Sequence, residues 1–161
     1  MPGWITRLDW CSIREVSSAE GVDPYLVAAM IMVESGGNYY AARYEPNYKY
    51  LYKVQEFATL NKITYFTEEV LQKTSFGALQ VLGANCREMG YNKDLTRLPG
   101  LLGLVYGCRF LNHLQKRYHI QDDAIASYNA GSPIKTLSGE YKNQAYVDKV
   151  SGFLLELSKL R

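Results

Sequence analysis

Glu34 closes a run of apolar and small residues. The stretch YLVAAMIMVESGG, residues 25–37, sets eight such residues, 26–33, directly ahead of this one carboxyl group. A carboxylate is costly to bury, so its place at the edge of such a run needs a reason. On a helix, Glu34 has Met30 and Ile31 one turn back and Val27 beyond them. Apolar neighbours exclude water from the charged form, and a helix C-terminus carries negative partial charge. Both push a carboxyl pKa upward. A carboxylic acid still protonated near neutral pH is a proton donor. Cleavage of a glycosidic bond needs that donor, because the leaving oxygen must be protonated as the bond breaks. The plainer alternative is a helix-end glutamate turned outward to water, and the run alone favours it.

The elements that must hold this group read mostly as helices. Asp23 suits an N-cap and Pro24 the first helical position, so a helix starts there. It runs to about Ser35, where Gly36-Gly37 supplies a left-handed end. Apolar nearly all round, it is expected to be a buried central helix. A first amphipathic helix is expected over 5–20, stopped by Gly21. Between 39 and 75 the spacing predicts loops, with helical pieces at 54–60 and 67–73 and a short strand at KITYF, residues 62–66. Helical signals follow at 77–81 and 84–89. Pro99 opens a long helix to about 118, in which Gly103 and Gly107 permit close packing. A shorter helix covers QDDAIASYNAG, and the last runs over 142–160. The expected class is all-α, with room for a small β element after the Glu34 helix, in one domain over 1–161.

Bulk properties narrow the function. A chain of 161 residues suits one domain with a sizeable core. A net charge of +2 gives no case for nucleic acid. The most apolar stretch elsewhere, LPGLLGLVYGCRFL, is shorter than the ~20 residues of a membrane span and contains Arg109, so no stable membrane insertion is expected. Tyrosine is over-used, with 14 copies, which suits either core-edge packing or a surface that stacks on a polar ligand such as sugar. Cys11, Cys86 and Cys108 match no zinc spacing and read as free buried thiols. His113 and His119 form no HExxH motif, so neither metal nor cofactor is expected.

Four blocks stand in order along the chain: VESGGN (33–38), TSFGALQV (74–81), ASYNAGSP (126–133) and NQAYVDKV (143–150). Together they resemble the soluble lytic transglycosylase family (SLT domain), whose blocks read Glu-Ser, Gly-Leu-Met-Gln, Ala-Tyr-Asn-Ala-Gly and a late Tyr-Val. The resemblance implies a lysozyme-like fold and cleavage of peptidoglycan glycan strands. It makes Glu34 the single catalytic acid and Ser35 the serine that helps orient substrate. It places Gln80 in the sugar cleft near the acetamido group, and the Tyr128-Asn129 pair opposite Glu34. Tyr146 becomes the late tyrosine that reaches toward the catalytic carboxylate. Gly77 takes the glycine place, Ala78 the leucine place and Leu79 the methionine place. Gln80 and Asn129 carry donor and acceptor together, which suits N-acetyl and hydroxyl groups. For Tyr128 and Tyr146, core packing is the alternative.

One segment departs from the usual pattern. The link between the first two blocks is long, and its ARYEPNYKY (42–50) resembles the bacteriophage and prophage variant of the family. It supplies a second carboxylate, Glu45. Two chemistries remain open. In a transglycosylase, Glu34 acts as acid and then as base, giving a 1,6-anhydromuramyl product from the β-1,4 bond between N-acetylmuramic acid and N-acetylglucosamine. In a hydrolytic muramidase, Glu45 activates water from the opposite face. Alternatively Glu45 only pairs with Arg43 or a lysine. Two rivals come from other classes: a non-catalytic glycan-binding or tail domain, and a cysteine peptidase built on Cys86 or Cys108 with His113 or His119. The N-terminus MPGWITRLDW shows no export pattern, so the expectation is a monomer made in the cytoplasm that reaches the wall as a phage endolysin or virion-associated lysin.

Overall fold

Asp23 and Pro24 start the helix that organises the molecule. In the computed structural model, which describes residues 3–159, the Asp23 carboxylate accepts from the Tyr25 amide at 3.0 Å. Pro24 then opens α1 (Pro24–Glu34). Residues 26–31 of this helix are completely buried, as its all-round apolar character requires. Ser35 caps it, and Gly36 and Gly37 follow at φ +64° and +93°, the left-handed exit expected of them.

The helix expected over 5–20 is divided. Ile5–Arg7 is a 3-10 turn, Leu8 is extended, and α2 (Trp10–Glu20) begins only at Asp9, whose carboxylate accepts from the Ser12 amide at 3.2 Å. Asp9 competes successfully as an N-cap, and the apolar periodicity running across it hides the break. Around α1 stand α3 (Leu101–Arg117), α4 (Gln121–Ala130) and α5 (Gln144–Ser158). The long helix starts after Gly100, at φ +92°, rather than at Pro99. The last starts at Gln144 rather than at residue 142; Leu160, also expected in it, lies outside the described residues.

A small sheet forms from segments that follow α1 in the chain. Strands β1 (Ala42–Tyr44), β2 (Thr74–Phe76) and β3 (Val81–Leu82) pair antiparallel in that order, with Arg43 opposite Ser75 and Phe76 opposite Val81. The strand expected at KITYF is absent. Lys62 instead ends α6 (Val54–Asn61) in a left-handed conformation. Thr64 caps α7 (Tyr65–Gln72) by accepting from the Thr67 amide at 3.0 Å. The helical signal at 77–81 is also overturned: Gly77 and Gln80 have φ of +76° and +48°, so the segment is a turn leading into β3. The short α8 (Gly83–Glu88) follows.

Two contacts fix that turn. Gly103 and Gly107 present bare backbone on α3. A Cβ on Gly103 would stand 2.6 Å from Leu98 O and 3.5 Å from Gly77 Cα; one on Gly107 would meet the Leu79 side chain at 2.7 Å. The glycine pair therefore seats the 77–80 turn, rather than another helix, against α3.

A buried ion pair lies behind the sheet. Arg87 on α8 makes a two-pronged contact with Glu68 on α7, at 2.7 and 2.8 Å, with both side chains inaccessible to water. Arg87 also donates to Tyr91 O and Lys93 O at 2.9 and 2.7 Å, and its guanidinium lies 4.4 Å from the Phe57 ring centroid. Gln72 completes the network, donating to Glu68 at 2.9 Å and exchanging hydrogen bonds with the Tyr52 backbone. Nearly every polar atom is satisfied, which is what lets the charges persist there. Of the cysteines, Cys86 and Cys108 are buried as expected, but Cys11 is exposed.

Candidate active site

Glu34 ends α1 at the wall of a cleft of about 660 Å³, a size that suits an extended ligand. The cleft is bordered by the end of α1, the loop after β1, the 80–82 segment, the C-terminal half of α3 and the end of α4. Of the residues named from sequence, Glu34, Glu45, Gln80, Tyr128 and Asn129 line it. Ser35 and Tyr146 stand behind the wall, each holding one of its parts.

Tyr146 on α5 donates its hydroxyl to Glu34 Oε1 at 2.5 Å. The central helix packs along α5, so one side chain spans the two elements. Burial raises the Glu34 pKa to about 7. The Tyr146 hydrogen bond and the Arg43 charge oppose the rise, and the Glu45 charge assists it. Burial, followed by the nearby Glu34 charge, likewise raises the Tyr146 phenol, so it stays a neutral donor.

Ser35 donates to Ala78 O at 2.7 Å, tying the end of α1 to the 77–80 turn. Gln80 sits in the left-handed region, where a side chain on Cβ is unfavourable, and its amide nitrogen donates to Ala41 O at 3.1 Å and Gly77 O at 2.9 Å. Both amide hydrogens are engaged, which leaves its carbonyl oxygen as the available acceptor. Tyr128 donates to Leu79 O at 2.9 Å and packs its ring 5.3 Å from that of Phe110. Burial pushes its phenol well above the usual value. Asn129 accepts from the Asn143 side-chain amide at 2.9 Å, and among the described residues its own amide hydrogens have no partner, which suits them to a ligand.

Glu45 and Arg43 form an ion pair at 2.5 Å, the arrangement weighed above as the alternative to water activation, and both line the cleft with Glu34. The thiols offer no second chemistry. Burial raises both Cys86 and Cys108, the latter to about 12, which is opposite to what a nucleophile needs.

Sequence reasoning gave no site role to other lining residues: Tyr48 and Tyr50 after β1, Asn85 and Glu88 on α8, and Phe110 and Arg117 on α3; His113, weighed only as a partner for a thiol, lines the cleft too. Apart from the 42–50 block, which holds the two tyrosines, no motif marks them. The over-use of tyrosine hinted at the first two without locating them.

The arrangement holds one carboxyl group at half-protonation near neutral pH, beside amide and hydroxyl groups that suit amino sugars. Comparison with known proteins finds no match among curated proteins. The family model of the transglycosylase SLT domain does match, over residues 12–148, a span that takes in every residue placed around the cleft. The chain therefore belongs to the transglycosylase SLT domain family and is a transglycosylase-type glycosidase acting on peptidoglycan.

Proposed function

We propose that the chain is a lytic transglycosylase that cleaves the β-1,4 bond between N-acetylmuramic acid and N-acetylglucosamine, with Glu34 as acid and then base. The observation that carries this reading is one enclosed carboxyl group with a pKa near 7, while Glu45, a further carboxylate of the cleft, is held by Arg43. Glu34 protonates the glycosidic oxygen as the C1–O bond breaks, and the acetamido oxygen of the muramyl residue stabilises the cationic carbon. The resulting Glu34 carboxylate takes the proton of the C6 hydroxyl as O6 bonds to C1. The products are a free 4-hydroxyl and a 1,6-anhydromuramyl end, and Glu34 is protonated again. Tyr146 holds the carboxyl group in place through both steps, Ser35 and Tyr128 fix the adjoining turn, and Gln80 and Asn129 offer polar groups to the sugars.

A group near pKa 7 can serve as donor and acceptor in one turnover, since neither form is strongly disfavoured at neutral pH. Mass spectrometry of digested peptidoglycan tests the reading. Anhydro ends are expected; reducing ends, heavier by one water, would refute it.

The hydrolytic reading is favoured by one observation, the presence of Glu45 in the same cleft. Glu45→Gln separates the two. Under the transglycosylase reading kcat stays within about threefold, whereas loss of a general base would lower it by about 10²–10⁴-fold. The raised pKa of Glu34 also sets a pH dependence. The donor form of Glu34 is present below its pKa and lost above it, so kcat/KM is expected to fall as pH rises through about 7. A rate that stays flat to pH 9 would contradict Glu34 as the acid. The likeness of residues 42–50 to phage and prophage members supports a phage-type lysin that is made in a host cytoplasm and acts on the wall.

A further inference from the structure

Tyr50 is a large aromatic side chain left 78% exposed at the cleft, where a ring gains nothing from the core. It is not loosely held. Its ring meets that of Tyr48, a second lining residue, edge to face at 5.9 Å between centroids. The loop that carries them, residues 45–52, is pinned at both ends. The Glu45 amide donates to Lys73 O at 2.7 Å, and the Tyr48 amide to Glu45 O at 3.1 Å. At the far end the Tyr52 amide donates to Gln72 Oε1, and Gln72 returns a hydrogen bond to Tyr52 O, both at 2.8 Å. Gln72 is itself completely buried and bonded to Glu68 of the Glu68–Arg87 pair.

The buried ionic network therefore has a task beyond the core: it anchors the loop that carries an exposed ring at the substrate cleft. We propose that Tyr50, braced by Tyr48 and held through Gln72, is a preformed stacking platform for one N-acetylated sugar of the glycan strand, so that this loop sets affinity for the strand rather than the rate of bond cleavage. A pyranose presents an apolar C–H face, and an aromatic ring fixed before binding captures it without a further ordering cost. This inference rests on the glycosidase reading of the same cleft.

The test uses Tyr50→Ala and Tyr50→Phe, each assayed for turnover of purified peptidoglycan. Each is also titrated, in a Glu34→Gln background, with the hexamer of N-acetylglucosamine by calorimetry. Tyr50→Ala is expected to raise KM and weaken hexamer binding by about tenfold while kcat stays within about twofold; Tyr50→Phe is expected to restore both, because the ring does the work. Gln72→Leu is the companion positioning variant, expected to show the same KM increase with Tyr50 intact. Unchanged KM and hexamer affinity in Tyr50→Ala, or a loss confined to kcat, would overturn the platform while leaving the glycosidase reading intact. A parent protein that neither binds the hexamer nor cuts peptidoglycan would overturn that reading, and the platform with it.

Discussion

Glu34→Gln is expected to lower peptidoglycan cleavage by at least about 10³-fold while leaving the fold in place. Glutamine keeps the shape and keeps an oxygen that can accept from Tyr146, now at 2.5 Å from Glu34. It carries no proton to give to a leaving oxygen and takes none from a C6 hydroxyl, so both halves of the proposed cycle stop. The variant should also be the more stable protein above neutral pH. The native carboxyl group is raised from 4.5 to about 7 on folding, chiefly by burial. Between those values the folded state binds more protons than the unfolded one, so native stability falls as pH rises through this window. At pH 8 the folded protein holds an ionised group in a site that disfavours it, and glutamine removes that cost. A gain on the order of 1–3 kcal/mol over native is expected at pH 8, vanishing at pH 4. Urea denaturation at both pH values, beside a cleavage assay, measures the two effects together. Equal stability at pH 8 would mean that Glu34 is not held at a disadvantage.

Arg87→Met is expected to have the largest effect on stability, a loss of about 3–5 kcal/mol at pH 7. The substitution leaves Glu68 completely buried with Gln72 as its one remaining partner among the described residues, and it strips the donors from Tyr91 O and Lys93 O. The double variant Glu68→Leu with Arg87→Met removes both charges and should recover much of the loss, because the penalty comes from the orphaned carboxylate. A double variant no better than the single one would place the cost in the lost Arg87 bonds to Tyr91 and Lys93. These outcomes are read from urea midpoints.

The parts of the fold that were legible in sequence are those set by local chemistry. Asp23, Pro24 and the Gly36-Gly37 pair define α1 by capping alone, and the apolar run between them puts that helix at the centre. The environment of Glu34 follows from the same run, because burial of the helix end is what raises its pKa. Legibility fails where tertiary contacts decide. Residues 77–81 contain Ala-Leu-Gln, good helix formers, yet Gly77 and Gln80 turn left-handed, with Gly77 set against Gly103 and Leu79 against Gly107. The strands are two or three residues long, too short to show alternation, so the sheet left no pattern to read. KITYF has β-prone residues, but Thr64 uses its hydroxyl to cap a helix. Arg87 and Glu68 look like ordinary solvated charges in sequence; only the approach of α7 and α8 pairs them. At the site, Glu34, Gln80, Tyr128, Asn129 and Glu45 reach one cleft, whereas the tyrosines of the loop after β1, though inside the 42–50 block, show no role in sequence and are placed by their anchors.

Titration of Glu34 shows whether burial holds its carboxyl group protonated up to neutral pH. With the glutamate side-chain carboxyl carbons isotope-labelled and Glu34→Gln used to assign the resonance, the Glu34 signal should move with a midpoint near pH 7. A midpoint at the ordinary glutamate value, about 4.3, would contradict the account.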